Sequence, residues 1–130
     1  MSADTPIGFT VGTPDTSSVS ILKYKVVYLN EGGDYNQSTG VFTCRIPGLY
    51  SFTATMFKTP GGRESYCYFY VNNHKYMPVS SGTHDTSDNM SGSKTFVFML
   101  KVGDRVYLSN CGGIDLTNQQ SSFSGFLVSI

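Results

Sequence analysis

Apolar and polar residues alternate with a period of two along most of this chain, and no stretch shows a helical period of comparable quality. That pattern confines the fold to β-sheets. About eight segments qualify as strands by this criterion. They are Ile7 to Val11, Leu22 to Asn30, Val41 to Ile46, Leu49 to Phe57, Ser65 to Val71, Thr95 to Val102, Arg105 to Cys111 and Ser122 to Ile130. Turn-forming residues separate them, including Asn30-Glu31-Gly32-Gly33-Asp34, Ser38-Thr39-Gly40, Pro47-Gly48, Pro60-Gly61-Gly62, Asn72-Asn73 and Gly103-Asp104. The polar stretches from Ser80 to Ser93 and from Gly112 to Ser121 read as loops.

Parity along the strands predicts which side chains share a face. Tyr50, Phe52, Ala54 and Met56 oppose Leu49, Ser51, Thr53, Thr55 and Phe57, while Cys67, Phe69 and Val71 oppose a stripe of Tyr66, Tyr68 and Tyr70. Three strands are apolar on both faces. Thr95 to Val102 carries Val97 and Met99 opposite Phe96, Phe98 and Leu100, and Ser122 to Ile130 carries Phe126, Val128 and Ile130 opposite Phe123 and Leu127. Leu49 to Phe57 does so less clearly. A small antiparallel sandwich needs one apolar face per sheet, so a second apolar face is buried either in an unusually large core or between subunits. The pattern points to an obligate oligomer.

Charge narrows the partners. Nine Lys and Arg cancel nine Asp and Glu, and charged residues make up only 14% of the 130 residues. This balance supplies no basic footprint for nucleic acid and no cationic face for a membrane surface. No apolar run is long enough to insert into a bilayer as a helix, and the first residues lack the basic-then-apolar order of a signal peptide. The length is that of one domain, residues 1–130. Gly-x-Ser-x-Gly, His-Glu-x-x-His, Cys-x-x-Cys and phosphate-loop motifs are absent from the sequence, so an enzyme is not expected.

The run Tyr35-Asn36-Gln37-Ser38-Thr39-Gly40-Val41-Phe42-Thr43-Cys44-Arg45-Ile46-Pro47-Gly48-Leu49-Tyr50-Ser51-Phe52 resembles the complement C1q globular domain family almost residue for residue. Ser91-Gly92-Ser93, Leu100-Lys101-Val102-Gly103-Asp104-Arg105-Val106 and Ser122-Phe123-Ser124-Gly125-Phe126-Leu127 are similar to its later strands in order and spacing. Tyr24 stands where the family usually has Phe, and Ala54 where an aromatic is common. No Gly-X-Y collagen repeat precedes the motifs, so the resemblance is to a stalkless C1q-domain-containing protein. It implies an all-β fold, a ten-stranded jelly-roll sandwich as in the tumour necrosis factor superfamily. It also implies a homotrimer, a secreted, extracellular setting and binding in place of catalysis.

A low-charge surface rich in Tyr, Ser, Thr and Asn suits neutral or weakly charged polar ligands, sugars above all. The functional expectation is therefore a trimeric lectin for innate-immune pattern recognition, binding glycans or glycoproteins, acidic ones such as sialylated sugars among them. The alternative is a signalling ligand, similar to cerebellins or adipokines, that clusters a protein receptor. Candidate ligand-binding residues are the Tyr66, Tyr68, Tyr70 stripe, Tyr107, His84 and Asp85, with Arg63 and Arg105 as bidentate partners for a sugar carboxylate. The stripe either faces out or is covered by a neighbouring subunit or strand. Calcium is a further candidate, because loop carboxylates are its preferred ligands. The resemblance places Asp88 where some members hold that ion, although the usual partner position is Ser80 here; a solvated loop is the other reading. Cys44 and Cys67 read as small buried hydrophobes or, by the resemblance, as a disulfide between their strands, leaving Cys111 as a free thiol.

Overall fold

A computed structural model describes residues 6–15, 20–58, 64–82, 90–113 and 121–130. Every regular element among them is a strand: β1 (Gly8–Pro14), β2 (Tyr24–Glu31), β3 (Tyr35–Asn36), β4 (Val41–Thr43), β5 (Gly48–Lys58), β6 (Tyr66–Val71), β7 (His74–Ser80), β8 (Met90–Leu100), β9 (Arg105–Gly112) and β10 (Ser122–Ser129). They form two five-stranded sheets with orders β2-β1-β10-β5-β8 and β3-β4-β9-β6-β7. All pairings are antiparallel. The chain passes back and forth between the sheets in the jelly-roll manner expected from the resemblance.

Ten strands replace the eight read by periodicity. β3 is two residues long, too short for an alternation to register. β7 escaped because its sequence, His-Lys-Tyr-Met-Pro-Val-Ser, is polar at both ends and contains Pro78. Proline is tolerated because β7 is the outermost strand of its sheet, where a missing N–H costs no ladder bond. β8 begins at Met90, earlier than Thr95, so Ser91-Gly92-Ser93 is strand and not loop. Gly92 is required there: a Cβ would collide with the Ser80 carbonyl oxygen at the end of β7.

The facing sides bury one continuous aromatic core. Phe123 is its hub, with ring centroids 5.1 Å from Phe9, 6.1 Å from Phe69, 6.3 Å from Phe52, 6.4 Å from Tyr35 and 6.5 Å from Tyr24. Tyr50, Phe52, Ala54 and Met56 are all fully buried, as parity requires. Tyr24 occupies the position where the family resemblance anticipates Phe and is likewise fully buried. Burial pushes its phenol pKa up, so the group stays neutral.

The Cys44–Cys67 pairing is corrected: Cys67 is bonded to Cys111, and Cys44 is a buried free thiol. β9 lies between β4 and β6, so Cys44 has no lateral approach to Cys67. On β9, partners run from Ser109 opposite Tyr68 to Gly112 opposite Tyr66, one residue more than on β6, with Asn110 in a left-handed conformation at φ 55°. This bulge sets Cys111 beside Cys67, with Cα atoms 4.0 Å apart. Periodicity cannot foresee such an insertion. The Cys44 thiol bonds to the Ile46 carbonyl oxygen at 3.2 Å, and burial raises its pKa, which keeps it unreactive. Reduction of the bond, or a Cys67→Ser/Cys111→Ser double variant, is expected to lower stability by about 2–4 kcal/mol. Urea unfolding with and without reductant reads this directly. An unchanged midpoint would show that the two sulfurs are not joined.

Candidate functional site

Because Cys67 and Phe69 point into the core, Tyr66, Tyr68 and Tyr70 point out of the second sheet. Tyr70 lies opposite Tyr107 on β9 and Lys75 on β7; Tyr68 lies opposite Ser109 and Pro78; Tyr66 lies opposite Gly112 and Ser80. Tyr70 and Tyr107 stack with centroids 5.3 Å apart and an 8° interplanar angle. Tyr66 and Tyr68 meet edge to face at 6.2 Å. Two cations lie on this aromatic floor, the Lys75 ammonium 4.6 Å from the Tyr68 ring centre and the Arg105 guanidinium 5.7 Å from that of Tyr107. Tyr107 is buried at the centre, and the other three rings are half-buried. Thus Tyr66, Tyr68, Tyr70, Tyr107 and Arg105 form one outward face that no described strand of this chain covers.

Three residues that sequence reasoning passed over shape this face. Asn72, at φ 56°, is a clamp: its Oδ1 accepts from the Arg105 N–H at 3.0 Å, and its carbonyl accepts from the Tyr107 hydroxyl. Its Nδ2 also donates to Asp104 at 3.2 Å. Together with a 2.8 Å bond from the Lys101 N–H, this holds the Asp104 carboxyl below the usual carboxylate range. Gly112 admits the Tyr66 ring, which a Cβ there would strike. Lys75 belongs to β7, the strand whose polarity hid it; a basic residue two positions past Asn73, directly after a hairpin turn, was the available signal. At the far end of the face, the Ser80 hydroxyl donates to the Glu64 carboxylate.

Arg63, His84, Asp85 and Asp88 lie outside the described residues. Beside Tyr66, the Ser81 N–H donates to the Ser65 carbonyl at 2.9 Å, and the Ser65 hydroxyl to the Gly113 carbonyl at 2.7 Å. Among the described residues there is no group of three or more His, Cys, Asp or Glu able to hold a metal, and no helix long and apolar enough to cross a membrane. The ion pair between Arg45 and Asp34, 2.9 Å, sits at the opposite pole and raises the arginine pKa.

The outer face of the first sheet is different in kind. Its rows run Thr10, Ser124, Thr53, Thr95 and Ser122, Thr55, Ser93, then Phe126, Ser51, Val97 and finally Leu49, Met99. Hydroxyl pairs of 2.8 Å join Thr53 to Thr95 and Thr55 to Ser93. No ionisable side chain occupies these rows on β1, β10, β5 or β8. Val97 is 56% exposed, Met99 73% and Phe126 54% within the single chain. The two-faced strands are therefore not the centre of a large core; their second faces lie open.

The domain is thus a ten-stranded jelly-roll with one uncharged face and one tyrosine–cation face. A C1q domain family model matches residues 7–128, and the chain belongs to the C1q domain family, whose members are typically non-enzymatic recognition proteins. It is 33% identical over 117 residues to the mouse complement C1q tumor necrosis factor-related protein 2, covering 82% of this chain and 37% of that protein. It is 30% identical over 128 residues to the human complement C1q and tumor necrosis factor-related protein 9A, covering 94% of this chain and 37% of that protein. The chain thus spans less than two fifths of the length of these relatives. The globular domain of zebrafish complement 1qA protein superposes with a TM-score of 0.74 at 20% identity, over 95% of this chain and 98% of that one. Murine APRIL superposes at 0.65 and 10% identity, over 93% and 99%, which extends the likeness of fold to the tumour necrosis factor type.

Proposed function

We propose that this domain works as a secreted homotrimer that binds carbohydrate multivalently through the outer face of its second sheet. The observation that carries the ligand assignment is the convergence of four tyrosines, Lys75 and Arg105 on one uncovered face. Phenol oxygens pair with sugar hydroxyls, and guanidinium and ammonium pair with an acidic sugar's carboxylate or sulfate. Ring stacking contributes less than composition alone suggested, because Tyr107 takes one face of Tyr70 and Lys75 one face of Tyr68. Trimerisation would seat the uncharged face of one copy against the β7/β8 edge of the next, where Tyr76 is exposed beside Phe96 and Phe98 and Met77 is exposed as well. Such head-to-tail contact closes into a ring, and members of this family typically form trimers. Three weak sites on one rigid body then add avidity.

The test is a glycan array, with and without chelator, comparing wild type with a Lys75→Ala/Arg105→Ala variant. A charge-assisted hydrogen bond is worth about 1.5–3 kcal/mol, so acidic glycans should lose at least about tenfold in apparent affinity. Absence of any glycan signal on an intact trimer would overturn the carbohydrate reading. A second reading then takes its place: aromatic residues with Arg on a flat surface match the composition of a protein-binding hot spot, which a receptor could occupy.

A further inference from the structure

We infer that Asn36 is an N-glycosylation site, an assignment that rests on the secreted setting proposed above. Asn36-Gln37-Ser38 is an acceptor tripeptide of the Asn-x-Ser type, with a middle residue other than proline. Where such a tripeptide sits decides whether it can be used, and here each element of geometry is favourable.

Asn36 closes the two-residue strand β3, and its side chain is exposed, as are those of Gln37, Ser38 and Thr39. The neighbouring Tyr35 is buried against Phe9, with centroids 4.6 Å apart, and anchors the turn from below. Asn36 Oδ1 accepts from both the Ser38 N–H at 2.9 Å and the Ser38 hydroxyl at 2.6 Å. The Asn36 carbonyl accepts from the Thr39 and Gly40 N–H groups, so the backbone is satisfied without the side-chain amide nitrogen. The Ser38 hydroxyl thus already donates to the amide oxygen of an exposed Asn36.

The surroundings would tolerate a bulky modification. β3 is the outermost strand of the second sheet, at the opposite edge from β7, and three strands away from the tyrosine stripe of β6. It is not on the uncharged face of the first sheet. A glycan on Asn36 would leave both proposed surfaces clear.

The chemistry is a group transfer without redox change. The donor is a lipid diphosphate-linked oligosaccharide. Nδ2 forms a bond to its anomeric carbon, the bond from that carbon to the diphosphate oxygen breaks, the lipid diphosphate departs with the bonding pair, and one Nδ2 proton is lost to base.

The experiment expresses the chain behind an added secretion leader in insect or mammalian cells, so that the site is tested independently of where the native protein travels. Asn89-Met90-Ser91 is a second tripeptide of this type in the sequence, so Asn89→Gln serves as the background. In that background the secreted protein should show a mobility shift that peptide N-glycosidase removes, converting Asn36 to Asp in the peptide mass spectrum. Asn36→Gln and Ser38→Ala should each abolish the shift, and Ser38→Thr should keep it. A secreted protein of bare polypeptide mass, or a shift that survives Asn36→Gln, overturns the assignment. Retention of the native full-length protein inside its cells would instead count against the secreted reading alone.

Discussion

Phe123→Ala should destabilise the folded chain by about 3–5 kcal/mol, the range for removing a large buried aromatic. The ring is 1% exposed and meets five other aromatic rings drawn from both sheets. Its removal leaves a cavity that those rings cannot fill, because each is also held by other neighbours, as Phe9 is by Tyr35 and Phe69 by Phe96. Chemical denaturation followed by far-UV circular dichroism measures the effect. A loss below about 1 kcal/mol would mean that the site collapses around the gap and that Phe123 is not the keystone of the sandwich.

Val97→Glu should act with similar size on a different equilibrium. Val97 is 56% exposed in the single chain, so a carboxylate there costs the fold of one copy little. In the proposed trimer it would place one unpaired charge in each of three equivalent interfaces, at about 3–5 kcal/mol apiece. The variant should therefore be monomeric at concentrations where wild type is trimeric, with its circular dichroism unchanged. Val97→Thr, matching the neighbouring Thr95, is the control and should remain assembled. A trimeric Val97→Glu protein would show that this face is not the interface.

The two variants mark what was readable in the sequence. Parity assigned Phe123 and Val97 to opposite roles because strand periodicity is strict over long, regular segments such as β5, β8 and β10. The tyrosine stripe was legible for the same reason. What periodicity could not supply was anything created by a departure from it. The bulge at Asn110 moved the disulfide from Cys44 to Cys111. The edge position of β7 made Pro78 acceptable and so concealed Lys75. The left-handed Asn72, which fixes Arg105 and Tyr107, read only as a turn residue, since its three hydrogen-bond partners lie more than thirty positions away. Long-range partners of this sort are set by strand order, which no local pattern encodes.

Assembly is the central claim, because an uncharged four-strand face and an outward tyrosine–cation face make sense together only if the first is buried between copies. Sedimentation velocity of the wild-type chain at micromolar concentration tests it most directly. The account predicts one species at three times the 14.2 kDa of the chain. A single monomeric boundary at that concentration would contradict it.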